Sequence, residues 1–408
     1  VKDSEIKKLL NAEKACQKKA VNLIASENYV SRDVLEALGS ELTNKYAEGY
    51  PGKRYYGGND CVDKIETLCK ERAFKLFGLD SADAGAQAGK WKVNVQPLSG
   101  SPANLAVFLA LVPPGGKIMG MSLTDGGHLT HGQKVSATGK LWTSVHFGVD
   151  KKTEMIDYSV LMKQALAERP AIIVAGFTAY PRTVDFKQFR EIADACGAIL
   201  MVDMSHVAGL VAGGVYPSPF PYADVVTTTT HKTLRGPRSA LIFSRIDKSQ
   251  LNTRGVPVPF PDLIDKAVFP GLQGGPHINQ IAAVAVALKE ASTPTFKKYA
   301  TQVVKNAKAL ADELSILGWR VISGGTDSHL VLVDTWMGGA SGGVTGGEAS
   351  DRLEQVGIIV NKNAIPFDTR SPMDPSGIRL GTAAETTRGK KEADFRALAR
   401  RIDKILRK

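Results

Sequence analysis

Four cysteines in 408 residues, Cys16, Cys61, Cys69 and Cys196, are too few and too scattered for a disulfide framework. None forms a CxxC pair, so the common zinc and redox signatures are missing. Reduced thiols in a reducing compartment are the expectation. No stretch of about 18 apolar residues is free of charge or turn residues, so no membrane span is expected. The opening Val1-Lys2-Asp3-Ser4-Glu5 lacks an apolar signal core, and the missing initiator Met leaves room for a trimmed targeting peptide. The cytoplasm is therefore the expected compartment, with the mitochondrial matrix as the alternative. Aromatics make up 7% of the chain and nowhere interleave with a basic block, so no nucleic-acid partner is required.

What is present is an ordinary globular balance of 43% hydrophobic and 23% charged residues. The length allows a large core and two or three domains. The formal net charge is +11. Such a surface suits solubility, a polyanion or an acidic metabolite. A non-catalytic polyanion binder is one reading of that charge.

Residues 5–20 predict a polar amphipathic helix with apolar Ile6, Leu9 and Leu10. Strand candidates then follow at Lys117–Met121, Ala171–Gly176, Ala198–Asp203, Asp224–Thr229 and Ser239–Phe243. Several are almost continuously apolar, as a parallel sheet covered on both faces requires. A helix over Asp185–Cys196 separates two of them, which gives the rhythm of an α/β domain. Val256–Pro261 reads as a Pro-rich loop, and Ile278–Ser292 as a helix buried between domains or subunits. Thr295–Leu317, Ser328–Thr335, Glu348–Val356 and Lys391–Leu406 predict helix, strand, helix, helix, a smaller α+β unit. Gly338–Gly347 lacks the GK[ST] of a phosphate loop and is expected to be a surface loop.

The chemistry concentrates in Asp224–Arg238, DVVTTTTHKTLRGPR. Here a β-branched strand runs into His231-Lys232. Strand ends in α/β sheets face ligand crevices, and a lysine there can serve as a Schiff-base amine. Arg235 and Arg238 are expected to lower its pKa by repulsion. Upstream, AILMVD ends a buried strand in Asp203. Pyridoxal phosphate needs such a carboxylate against its ring nitrogen. Leu98–Asn104, LSGSPAN, places Ser101 as a helix N-cap with Pro102 first in the helix, a frame for a phosphate. His128 and His131 in GGHLTH have metal-ligand spacing but no third ligand; a flat imidazole could instead stack on a cofactor ring.

Together with LIASEN (23–28), NKYAEGYPGKRYYGG (44–58), FPGLQGGP (269–276), VNKNAIP (360–366) and SGIRLGTAAETTRG (376–389), these segments resemble serine hydroxymethyltransferases. The likeness covers roughly residues 20–390 in the family's order. It implies the aspartate-aminotransferase-like α/β fold of pyridoxal-phosphate enzymes: a mostly parallel mixed sheet between helices and a smaller C-terminal α+β domain. The division expected is an N-terminal arm over 1–45, a large domain over 46–275 and a small domain over 276–408.

The resemblance also implies roles. Lys232 would hold pyridoxal phosphate covalently, Asp203 would meet its ring nitrogen, and His128 would stack on the ring. Thr178 and His206 would lie near its phenolic oxygen, with His231 beside Lys232. Ser99, Gly100 and Ser101 would bind its phosphate. Tyr46, Glu48, Tyr56, Gly274 and Gly275 would come from a neighbouring copy, so a homodimer or homotetramer with shared sites is implied. Arg379 would clamp the serine carboxylate with Ser26 and Tyr56, and Glu48 would be the acid/base. Leu123, Gly127, Leu129 and Asn363 would contact folate. Serine and tetrahydrofolate would give glycine and 5,10-methylenetetrahydrofolate.

Asp125 stands where the family more often has His or Ser, and Thr178 where Ser is common. Ala364 and Ala383 replace a small polar residue and a Pro, so weaker folate contacts and a looser turn after Arg379 are expected. A threonine aldolase of the same fold would share Lys232 and Asp203 without the folate segments.

Overall fold

The computed structural model describes residues 1–80, 87, 89–336 and 343–407. Seven strands form the main sheet: β1 Trp91–Asn94, β2 Lys117–Met121, β3 Thr143–Phe147, β4 Ile172–Gly176, β5 Ile199–Asp203, β6 Val225–Thr229 and β7 Ala240–Arg245. Their spatial order is β1-β7-β6-β5-β4-β2-β3. Only β7 runs against its neighbours. The apolar runs work as expected. In β4 and β5, Ile173, Ala175, Leu200 and Val202 join the core on one face. Their neighbours Ile172, Val174 and Met201 join a second core on the other. Two covered faces explain why these strands do not alternate with polar residues.

The helices obey their sequence signals. Asp185 caps Phe186–Cys196 by accepting from the amides of Lys187 and Gln188, and Gly197 ends it in the left-handed region (φ 74°). Ile278–Ala291 packs against helices Asp60–Leu76 and Arg32–Leu38 within this chain. A second, antiparallel sheet of four strands orders Arg320–Val321, Leu330–Asp334, Gly377–Gly381 and Asn361–Asn363. The helices Pro294–Ile316, Gly346–Glu354 and Glu392–Leu406 share its core. No helix among the described residues is long and apolar enough to cross a membrane.

Four local expectations are corrected. Pro257–Pro259 is a short strand paired with Ser249–Leu251, and Phe260–Lys266 is a helix that accepts Pro261 in its first turn, where no amide partner is lost. Residues 337–342, which carry part of the glycine-rich run, lie outside the described residues. Its end is no surface loop: Gly346 opens a helix with its α-carbon so near the Gly377 carbonyl that a β-carbon would fall 2.2 Å away. Ser99, not Ser101, is the N-cap of Gly100–Leu111. Ala383 does not leave a loose turn. It opens a buried helix, and the preceding Thr382 hydroxyl bonds the Val303 carbonyl at 2.9 Å.

Candidate active site

The C-terminal ends of β4, β5 and β6 open on a cavity of about 280 Å³. This is the crevice where an open α/β sheet binds ligands. Lys232, three residues past β6, reaches it while only 9% exposed. Burial lowers its pKa; the Asp203 charge opposes this, and Arg379 and Arg238 add to it, leaving the amine at about 8. Arg235 is not part of that repulsion. Its guanidinium lies 4.7 Å from the Tyr299 ring centre, and its own backbone is left-handed (φ 64°).

Asp203, last in β5, accepts from several donors and still lines the cavity. Asn104 Nδ2 and His131 Nε2 donate to Oδ2 at 2.9 and 3.1 Å, if His131 carries its proton there. The Ser205 amide and hydroxyl donate to Oδ1 at 3.1 and 2.5 Å. Burial alone would raise the carboxyl pKa, but the His131 bond and the cationic surroundings win and hold it well below the usual range. Asp203 is therefore a fixed anion. Gly176 permits the arrangement, since a β-carbon there would fall 2.7 Å from Asp203 Cβ.

Sequence reasoning missed Asn104 and Ser205 and gave His131 only a metal-ligand reading. Asn104 is buried in a helix and also accepts from Thr227 Oγ1 at 2.8 Å while donating to Thr130 Oγ1 at 2.9 Å. Its one available signal was a polar residue on an otherwise apolar helix. His131 is spent on Asp203. His128 lines the cavity with its Nδ1 2.7 Å from Thr130 Oγ1, and burial lowers its pKa to about 4, so the ring is neutral.

Ser99, Gly100 and Ser101 bring a helix N-terminus to the same cavity. Ser99 makes no side-chain cap, which leaves first-turn amides free for an anion. Gly100 is needed because its α-carbon abuts Thr229, where a β-carbon would lie 2.6 Å from Cγ2. The buried Thr229 hydroxyl and His231 Nδ1 have no partner, so the wall holds unused polar atoms.

Arg379, on Gly377–Gly381, enters from the second sheet and is 6% exposed. It donates through Nε to Asn361 Oδ1 at 3.1 Å and through Nη1 to the Thr178 carbonyl at 2.7 Å. Among the described residues no carboxylate pairs with it. Burial lowers its pKa to about 10, still cationic at neutral pH. Ser26, Thr178, His206 and His231 also line the cavity.

Other predicted residues stand apart. Tyr46, Glu48, Tyr56, Gly274 and Gly275 form their own cluster. Tyr46 Oη donates to Glu48 Oε1 at 3.3 Å, the Tyr46 and Tyr56 rings meet edge-on at 5.3 Å, and β-carbons at Gly274 and Gly275 would fall 3.1 Å from Glu48 and 3.4 Å from Tyr46. Leu123 and Leu129 are exposed on the loop after β2, and Gly127 is buried where its amide bonds Ser122 O at 2.8 Å. Asp125 turns back on Ser122 Oγ at 2.6 Å, and burial raises its pKa. Asn363 donates to the Ala364 carbonyl at 2.6 Å.

A buried lysine, a strand-end anion and a helix N-terminus meet at the edge of this sheet, in an α/β fold of the aspartate-aminotransferase-like class. The serine hydroxymethyltransferase family matches residues 1–402. A serine hydroxymethyltransferase of Desulfotalea psychrophila is 52% identical over 404 residues, covering 99% of this chain and 88% of that protein. One of Coprothermobacter proteolyticus is 54% identical over 403 residues, covering 99% and 91%. Serine hydroxymethyltransferase 1 of Pseudomonas aeruginosa is 54% identical over 404 residues, also covering 99% and 91%. The chain belongs to the serine hydroxymethyltransferase family, which favours that activity over the aldolase reading.

Proposed function

We propose that the cavity around Lys232 binds pyridoxal phosphate and serine, and that a second copy of the chain completes it. The reaction is the reversible conversion of serine and tetrahydrofolate to glycine, 5,10-methylenetetrahydrofolate and water. The observation that carries the reading is the convergence of Lys232, Asp203, the Ser99–Ser101 turn and Arg379 on one cavity. The residues fit the cofactor chemically: an amine of lowered pKa, a permanent anion for a ring nitrogen, free amides for a phosphate, and unpartnered hydroxyl and imidazole atoms in the wall.

Bound there, pyridoxal phosphate supplies an electron sink for bond cleavage at the amino-acid Cα. Lys232, with its lowered pKa, would hold it covalently through its amine. Asp203 would keep a proton on the ring nitrogen, while His131, Asn104 and Ser205 keep Asp203 ionised and aimed. His128 would face its ring, and Thr178 and His206 would serve its phenolic oxygen. Arg379 orients serine by its carboxylate, a task that suits a planar two-pronged donor. Ser26 assists at the carboxylate end. Tyr46, Glu48, Tyr56, Gly274 and Gly275 serve the cavity of the other copy, with Tyr56 joining Arg379 at the carboxylate there and Glu48 moving the proton of the serine hydroxyl. Leu123, Gly127, Leu129 and Asn363 hold the folate, and the basic balance of the chain favours a folate with an acidic tail. The assignment divides the chain into an arm (1–45), a cofactor domain (46–275) and a small domain (276–408).

The test is purified protein given pyridoxal phosphate, then serine with and without tetrahydrofolate. The expected result is a new visible absorbance and glycine formation that depends on folate. Cofactor uptake with cleavage of allo-threonine but no folate-dependent serine turnover would overturn the folate assignment.

A further inference from the structure

His206, a wall of the cavity, forms a buried pair with His329, which has no role so far. Their rings stack 5.3 Å apart at 28°, and His206 Nδ1 lies 3.2 Å from His329 Nε2. His206 follows β5 and lines the main cavity; His329 immediately precedes the strand Leu330–Asp334 of the second sheet. The pair joins the two halves of the site. The His206 carbonyl accepts from Thr233 Oγ1 at 2.8 Å, beside Lys232 in the chain. The His329 carbonyl accepts from the Thr382 amide at 2.9 Å, three residues past Arg379.

We propose that His329 is a positioning residue that holds His206 in one tautomer and one ring orientation, so that a single, fixed nitrogen of His206 serves the cavity. The proposal rests on the reading of that cavity as the cofactor site. Both rings are neutral: burial lowers each pKa, with Lys232 and Arg379 adding to it. Two neutral imidazoles at this separation share one proton, one ring donating and the other accepting. His206 Nδ1 is thereby engaged, and Nε2 is the nitrogen left for a ligand, with its protonation set by the partner ring. Without His329, His206 could exchange its proton between nitrogens and tilt into the freed space.

The first readout is the ¹⁵N spectrum of the cofactor-free protein, with His206 assigned by its loss in His206→Gln. Wild type should show His206 with one protonated-type and one bare-type nitrogen. In His329→Ala the two shifts should converge toward their mean. His329→Gln, whose amide both donates and accepts, should restore the separation. On loading with pyridoxal phosphate, His329→Ala should lose affinity and kcat by about tenfold, the scale seen when outer partners of functional histidines at metal sites are removed, while KM for serine changes little. If wild-type His206 already averages two tautomers, or if His329→Ala leaves its nitrogens unchanged, the proposal is overturned. If Lys232 is not the cofactor site, wild type takes up no pyridoxal phosphate, and the tautomer spectra still decide the His329 role.

Discussion

Arg379 Nη1 donates to the carbonyl of Thr178 at 2.7 Å, so the strand Gly377–Gly381 of the small sheet is fastened to the segment that leaves β4. The guanidinium is thus aimed from one sheet into a cavity built by the other. A lysine could carry the charge but could not hold Asn361, Thr178 and a substrate carboxylate together. Arg379→Lys should raise KM for serine by about 10- to 100-fold, the equivalent of about 1.5–3 kcal/mol of charge-assisted hydrogen bonding. Steady-state kinetics checks this, and an unchanged KM would remove Arg379 from the carboxylate role.

Lys232 should give cofactor uptake a distinctive pH dependence. Its pKa is lowered to about 8, and only the neutral amine is a nucleophile. The uptake rate of pyridoxal phosphate by cofactor-free protein should rise about tenfold per pH unit below about 8 and then level off. A plateau starting near the ordinary lysine value would contradict the lowered pKa. The same shift sets a stability trend. Between about 8 and 10.5 the folded protein binds fewer protons here than the unfolded chain, so this lysine costs most stability below about pH 8 and the cost fades as pH rises. Cofactor-free Lys232→Met should melt higher than wild type at pH 7, with the gap narrowing toward pH 10.

Gly100 should be intolerant of even one methyl group. The β-carbon of Gly100→Ala would sit 2.6 Å from Thr229 Cγ2, so the Ser99–Ser101 turn must move. Overpacking of this kind costs about 1–3 kcal/mol and should appear as a roughly 5- to 150-fold weaker hold on pyridoxal phosphate. Thr229→Ser removes Cγ2 and keeps the hydroxyl. The double variant should regain most of the loss when binding is titrated by absorbance.

Much of this was legible in the sequence for physical reasons. The central strands β4 and β5 are buried on both faces and therefore read as nearly unbroken apolar runs, while β6 reads as a β-branched one. Lys232 and Asp203 sit at or just past strand ends, where chemistry-bearing residues stand out against those runs. The edge strands β1 and β3 were not legible, because they mix polar with apolar residues. The helix Asp60–Leu76 hid for another reason: its inward face carries Glu66, fully buried and neutralised by Arg54 at 2.7 Å and Lys70 at 2.8 Å. A buried carboxylate breaks the apolar periodicity that marks a helix face. Asn104 and His131 meet Asp203 only through the fold, and nothing local in the sequence announces that they share one carboxylate.

The Tyr46–Glu48–Tyr56 cluster yields the most discriminating experiment. Tyr46 is 58% exposed and Tyr56 50%, and neither they nor Glu48 line the Lys232 cavity. If the cluster serves a second copy, Glu48→Gln and Lys232→Ala are defects in complementary halves of a shared site. A hybrid dimer then contains one site with both defects and one with neither. Mixing the two inactive variants in equal amounts under exchange conditions should restore about a quarter of wild-type activity, since half of the dimers are hybrids with one intact site each. If Glu48 instead acted on the Lys232 of its own chain, every site in every hybrid would carry one defect. No activity would return, and the shared-site assignment would fall while the Lys232 assignment stood.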